Sequence, residues 1–158
     1  MRVGTGYDAH RLRPGRDLII GGVRIDHPVG LDGHSDADVL THAIIDALLG
    51  AAGLGDIGRL FPASDSKFKG ASSQDLLVVA VRAVTGAGYR IVNVDSTVIA
   101  EEPRLEPHLD AMRGRLAKSL DVNPDAVSVK ATSPEGLGAL GRKAGIAAQA
   151  VALIEATG

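Results

Sequence analysis

The sequence predicts an α+β fold, mostly one sheet with helices packed on one face. Three features predict it. The first 25 residues break into short strand-like runs separated by the turn pairs Pro14-Gly15 and Gly21-Gly22. Three later segments place apolar residues at helical spacing. Strands rich in Val and Ile stand before and after the last of these, for a coarse order β-β-β-α-α-β-α-β-β.

Arg2 to His10, Leu18 to Ile20 and Val23 to Ile25 read as strands. Leu40, Ala43, Ile44, Ala47, Leu48 and Ala51 then share one helix face, with Ser35 as the expected N-cap, Asp38 three residues on, and an end near Gly53. Gly55 to Gly70 has no period and reads as one loop, long enough to be functional. Ser72 or Ser73 is expected to cap a second helix carrying Leu76, Leu77, Ala80, Val81 and Val84, stopped at Gly86 to Gly88. Tyr89 to Ala100 is a strand by its density of Val and Ile. Pro103 and Pro107 lead into a third helix with Leu109, Met112, Leu116 and Leu120, closed by Asn123-Pro124, after which Val127 to Thr132 alternates as a strand. Residues 134–141 read as a Gly-rich turn or short helix. From Ala144 to Ala156 the alanines favour helix, while Ile146, Ala148, Ala150, Ala152 and Ile154 fit period two, and the reading adopted is strand. With no repeat or low-complexity stretch, residues 1–158 read as a single domain.

The composition excludes whole classes of function. The 158 residues are 45% hydrophobic and 23% charged, enough for one core. Seventeen basic residues against nineteen acidic ones, a net charge of -2, leave no basic excess for nucleic acid. No apolar run approaches the roughly 20 residues of a membrane span and no targeting segment opens the chain, so a soluble, cytoplasmic protein is expected. The lack of cysteine removes disulfides, thiolate nucleophiles, iron–sulfur clusters and Cys-type zinc sites, so any metal must sit on His, Asp or Glu. Few aromatics and 20 glycines mean a core of small side chains, which gains if neighbouring subunits cover apolar surface, and an oligomer is expected.

Gly4-x-Gly6-x-x-Ala9 matches a dinucleotide fingerprint, but Pro14-Gly15 leaves no room for the helix that motif requires. The glycines instead suit close backbone approach. In Asp8-Ala9-His10 the carboxylate and imidazole point to the same side of a strand, either as an exposed pair or as two metal ligands. Asp38, His42 and Asp46 at i, i+4, i+8 form a polar helix stripe, which is either a solvated face or the source of a third ligand. Asp8, His10 and His42 make a His₂-carboxylate set suited to Zn²⁺ with one position open, and Asp46, a turn from His42, is placed to orient its ring. His34-Ser35-Asp36 stands where a helix N-terminus favours a phosphate, the other reading being that Ser35 serves only as the cap. Lys130 to Gly136 brings two hydroxyls and the Glu135 carboxylate together, a turn able to cradle a diphosphate with Mg²⁺ or Mn²⁺ or else a Ser/Thr capping motif. His27 and His108 belong to no constellation.

Gly4-x-Gly6-x-Asp8-x-His10, Gly33-His34-Ser35-Asp36-Ala37-Asp38 with His42, Asp56-Ile57-Gly58, Phe61-Pro62, and Lys130 to Glu135 ahead of Gly141-Arg142 together resemble the 2-C-methyl-D-erythritol 2,4-cyclodiphosphate synthase family of the non-mevalonate isoprenoid pathway, over essentially the whole chain. The resemblance implies an α+β homotrimer with active sites between subunits and a C-terminal strand. It implies conversion of 4-diphosphocytidyl-2-C-methyl-D-erythritol 2-phosphate to the cyclic diphosphate and CMP. Asp8, His10 and His42 would hold Zn²⁺, and Glu135 a Mg²⁺ or Mn²⁺ bridging the diphosphate. His34 and Ser35 would contact phosphate, Asp56 and Gly58 the erythritol hydroxyls, and Ala100 to Glu106, including Arg104 and Leu105, with Ala131, Thr132 and Ser133 the cytidine diphosphate. Phe61, Asp65 and Arg142 complete the implied substrate contacts, with Arg142 near substrate or the trimer axis, and His34 and Ser133 are the implied catalytic pair. Three positions depart from the family pattern: Ser133 for Thr, Ala63 for an acidic residue and Ala139 for an aromatic. The competing readings are a zinc-dependent phosphohydrolase, told apart by its product, and a non-catalytic nucleotide-binding oligomer, which needs a fourth protein ligand that the sequence does not offer.

Overall fold

A computed structural model describes residues 1–62 and 64–158, so Ala63 lies outside the described residues. The chain forms β1 (Arg2–Pro14), β2 (Leu18–Ile20), β3 (Val23–Ile25), β4 (Val29–Leu31), α1 (Val39–Ala52), α2 (Ile57–Leu60) and α3 (Ser73–Gly86). It continues through β5 (Tyr89–Ile99), α4 (Leu109–Leu120), β6 (Val127–Thr132), α5 (Gly138–Gly141) and β7 (Gly145–Ala156). Five strands make one sheet in the order β4-β1-β7-β5-β6, and β2 and β3 pair as a separate hairpin. All neighbours are antiparallel except β5 and β6, whose parallel pairing requires the crossover through α4.

The α+β expectation holds. The tail is the central strand β7, flanked by β1 and β5, and Ile146, Ala148, Ala150, Ala152 and Ile154 turn their small side chains into the core. Several local expectations need correction. β1 runs beyond His10 to Pro14, because its last residues leave β7 and pair with β4, a three-residue strand too short to show a period. The stretch 55–70 contains α2 and a 3₁₀ turn, Ser66–Phe68, rather than one loop. The N-cap of α1 is Asp38 and not Ser35: the Asp38 carboxylate accepts from the amide of Thr41. Ser72 occupies the N-cap of α3 as expected, but its side chain makes no cap bond, and the Ser73 hydroxyl donates to Asp36 instead.

α1 is buried on nearly every side, lying on β1 and β7 with α3 against it, while α4 covers β6. The even-numbered residues of β1 face α1, and at Gly4 and Gly6 this face has no side chain. A Cβ on Gly6 would stand 1.9 Å from the Ala43 carbonyl oxygen, and one on Gly4 2.0 Å from that of Ala47. Strand and helix therefore touch backbone to backbone, the close approach that the glycine pattern implies. The next even positions, Asp8 and His10, run toward the N-terminal end of α1, where His42 lies. Asp8, Ala148, Val98 and Ala131 form one row across β1, β7, β5 and β6, so the ends of β1, β5 and β6 carry their exit loops to the same edge of the sheet.

The glycines make opposite predictions. Gly6→Ala forces the strand from the helix and should lose about 1–3 kcal/mol in urea unfolding, as overpacking does. Gly114→Ala, on α4 with open space around the added methyl, should gain roughly 0.5–1 kcal/mol. Equal effects at the two sites would contradict the packing described.

Candidate functional site

Asp8 and His10 leave β1 on the same side, and α1 delivers His42 to meet them. Asp8 Oδ2 lies 2.8 Å from His10 Nε2 and 3.0 Å from His42 Nδ1, and the two nitrogens are 3.2 Å apart. In a tetrahedral zinc site with bonds of about 2.0–2.1 Å, ligand atoms stand roughly 3.3 Å from one another, so this triangle fits such an ion. Among the described residues it is the one group of His, Asp or Glu gathered closely enough to hold a metal. Burial works against ionising Asp8, but hydrogen bonds and charge from His10 and His42 outweigh it and hold the carboxyl well below its ordinary range. Burial likewise works against a charged His10, yet the Asp8 carboxylate, helped by Asp32, raises the imidazole above its usual 6.5. His10 Nδ1–H donates to the Asp32 carbonyl at 2.8 Å, which leaves Nε2 free for a ligand.

The expected stripe Asp38-His42-Asp46 divides into three jobs. Asp38 is fully buried and receives hydrogen bonds from the amides of Gly21, Gly22 and Thr41 and the hydroxyl of Thr41. Burial pushes its carboxyl up despite those donors, and it serves the fold by tying α1 to the β2–β3 turn. The N-terminus of α1 is thus taken by a carboxylate of the chain itself rather than left free for phosphate. Asp46 is not the group that orients His42: its Oδ1 accepts from the Ile57 amide at 2.7 Å and holds the start of α2. Burial, with Asp56 and Asp8 adding to it, raises its carboxyl. The far nitrogen of His42, Nε2, lies 2.8 Å from Ser73 Oγ and 3.2 Å from Ser35 Oγ.

A cavity of about 210 Å³ opens over the three ligating residues. His34 and Ser35 line it, as do Gly58 and Phe61, while Ile57, Phe68 and Leu76 supply an apolar wall that the sequence reading missed. Phe61 and Phe68 meet edge to face with centroids 5.2 Å apart. Asp56 caps α2 through the Arg59 amide, and Asp65 caps the 3₁₀ turn and pairs with Lys67 at 2.8 Å, which lowers its carboxyl. Neither of these aspartates lines the cavity. Arg16 bonds the carbonyls of Leu31, Gly33 and Ser35, bracing the loop that presents His34.

A second cavity, of about 410 Å³, is lined by Ala100 to Glu106 together with Ala131, Thr132 and Ser133, the set expected from the sequence. It shares no lining residue with the first. Glu101, which the sequence reading did not single out, braces the turn beside it: its carboxylate accepts from the Ser133 hydroxyl at 3.2 Å and the Gly136 amide at 3.1 Å. Ser133 Oγ in turn accepts from the Glu135 amide, leaving the Glu135 side chain exposed. Arg104 pairs with Glu106 at the rim, and Arg142, just past α5, is exposed. Ala139 lines a separate shallow cavity with Ala9, Arg11 and Leu140. Among the described residues no helix is long and apolar enough to cross a membrane.

Because protons compete with a cation for His10 Nε2, divalent-metal affinity should begin to fall above pH 6.5 as the solution is acidified. Metal titrations from about pH 8 to pH 5.5 measure this. His42→Ala should lose the metal to a mild chelator, and retention of a full equivalent would contradict the three-residue site.

A family model described as the YgbB family matches residues 1–155. The chain is 61% identical over 155 residues to a 2-C-methyl-D-erythritol 2,4-cyclodiphosphate synthase of Laribacter hongkongensis, covering 98% of this chain and 96% of that one. It is similar to the solved bifunctional IspDF of Campylobacter jejuni, with a TM-score of 0.95 and 42% identity over 99% of the chain, and it spans 42% of that longer protein. A solved 2C-methyl-D-erythritol-2,4-cyclodiphosphate synthase in its CDP-bound form matches with a TM-score of 0.89 and 37% identity, over 98% of this chain and all of that one.

Proposed function

The chain belongs to the YgbB family, and from that membership we infer that it converts 4-diphosphocytidyl-2-C-methyl-D-erythritol 2-phosphate to 2-C-methyl-D-erythritol 2,4-cyclodiphosphate and CMP. The observation that carries this reading is a metal-ligand triad opening into one cavity at the sheet edge that also bears a nucleotide-sized one, in a chain 61% identical to a synthase of that name. The 2-phosphate oxygen attacks the β-phosphorus, a new P–O bond closes the ring, and the bond to the α-phosphate oxygen breaks to release CMP. A phosphate monoester has its second pKa near 6, so the attacking group is already an anion at neutral pH and needs no protein base.

The residues of the chain then have positioning to do. Asp8, His10 and His42 would hold Zn²⁺, and the exposed Glu135 would hold Mg²⁺ or Mn²⁺; when bound, these ions would neutralise phosphate charge and ease departure of CMP. His34 and Ser35 donate to phosphate oxygens at the cavity rim. Gly58 and Phe61 form the erythritol side of the cavity, and Asp56 and Asp65, which cap α2 and the 3₁₀ turn without lining it, reach the substrate hydroxyls from its edge. Ala100, Arg104, Leu105 and Glu106, with Ala131 and Thr132, hold the cytidine diphosphate, and Arg142 serves near substrate or the trimer axis. Ser133, whose hydroxyl donates to Glu101 in the free chain, turns that one proton to the phosphate that gains charge. The wall of Ile57, Phe68 and Leu76 excludes water, which favours ring closure over hydrolysis.

The active unit is a homotrimer whose sites lie between subunits. Two cavities with no shared lining residue support this, because one substrate must span a metal half and a nucleotide half. So does the sheet face opposite the helices, where Val3 and Tyr7 are 63% and 62% exposed beside Val151.

Phosphorus NMR of the turnover mixture should show two mutually coupled phosphates in the cyclic product, alongside CMP. Linear product or free phosphate would make the protein a phosphohydrolase. Ser133→Ala should slow single-turnover chemistry by roughly 10² to 10³ while leaving CDP affinity nearly unchanged. Sedimentation equilibrium should give a trimer, and a fully active monomer would contradict the shared site.

A further inference from the structure

We propose that Ser73 and Asp36 are positioning residues that keep His42 protonated on Nε2 and so present its Nδ1 lone pair to the metal. The proposal rests on Asp8, His10 and His42 being the zinc site.

For the neutral imidazole that a metal requires, proton bookkeeping leaves one arrangement. The Ser73 hydroxyl has a single proton, and it donates this to Asp36 Oδ1, because a carboxylate only accepts. Ser73 Oγ, 2.8 Å from His42 Nε2, must therefore accept from it, and a neutral imidazole protonated there is bare at Nδ1. That bare nitrogen is the one facing Asp8 Oδ2 and His10 Nε2. Ser35 Oγ accepts from the Ala37 amide and lies 3.2 Å from the same Nε2, so it reinforces this orientation.

Asp36 is itself held in place. Its Oδ2 accepts from the Ser73 amide at 2.9 Å, its Oδ1 from the Asp38 amide at 3.2 Å, and its own amide donates to the Ala71 carbonyl. Ser73 is fully buried, and the chain of groups Asp36–Ser73–His42 passes a negative charge toward the far side of a ligand, which raises the ligand's basicity. His10 is fixed in the same manner through the Asp32 carbonyl. Both histidines are thus oriented by residues 32–36, the segment that also carries His34 and Ser35, so the loop proposed to contact phosphate is the loop that orients the metal ligands.

The test is competitive zinc titration of the full chain, its Ser73→Ala, Ser73→Thr and Asp36→Asn variants, together with ¹⁵N-resolved imidazole spectra. Zinc affinity should fall roughly 10- to 100-fold in Ser73→Ala, fall in the same direction in Asp36→Asn, and recover in Ser73→Thr. The His42 Nε2–H signal should be present in the parent and in Ser73→Thr and lost in Ser73→Ala. Should Ser73→Ala fail to fold, the spectrum of the zinc-loaded parent decides alone, and a proton on His42 Nδ1 there overturns the proposal. A parent that takes up no zinc overturns the metal reading and this proposal with it, whereas a parent that binds zinc beside a Ser73→Ala variant of equal affinity overturns this proposal only.

Discussion

The contact on which the rest depends is the one with no side chain on the strand. At Gly4 and Gly6 the backbone of β1 lies directly on the carbonyls of Ala43 and Ala47 in α1, closer than any other residue type permits. That distance sets how far Asp8 and His10, the next two positions on the same face, stand from His42. A wider gap would leave two ligands on a strand and one on a helix without a common point. The alanines of β7, which also face α1, continue the same small-residue surface and let one helix, buried on nearly every side, serve as the core of the molecule.

Around that contact, charge and hydrogen bonding are arranged by long-range partners. Asp38 joins α1 to the β2–β3 turn, Asp46 joins α1 to α2, and Asp36 joins the loop before α1 to the first turn of α3. Each is a carboxylate removed at least partly from water and given backbone amides in exchange, the condition under which buried charge is tolerable. Because β1, β5 and β6 all end at one edge of the sheet, these braces converge where the metal group and the nucleotide-sized cavity open. The core is therefore built from small apolar groups, and the edge from polar ones held in fixed positions.

What the sequence reveals and what it conceals follow the range of each interaction. Period two in β7 and period 3.6 in α1, α3 and α4 are repeated over many residues, so those elements and their buried faces are legible. So is the i, i+2 pairing of Asp8 and His10, and Gly4-x-Gly6 as a site of close approach. β4, three residues long, and α2, four residues long, are too short to carry a period. Ser35 looks like the cap of α1 with Asp38 three residues on, yet the cap is Asp38, which also takes the amides of the β2–β3 turn, a partner no local pattern states. Helical spacing points to Asp46, one turn away, as the partner of His42, yet the partner is Ser73, on another helix. Glu101 as the brace of Ser133 depends on β5 and β6 being adjacent, which no local pattern states.

The most direct measurement is anomalous X-ray scattering at the zinc edge from crystals of the zinc-loaded chain. One peak should sit at bonding distance, about 2.0–2.2 Å, from an Asp8 carboxylate oxygen, His10 Nε2 and His42 Nδ1, with Gly6 still against the Ala43 carbonyl. A peak away from these three residues, or one bound through His42 Nε2, would contradict the claim that the β1–α1 contact builds the metal site.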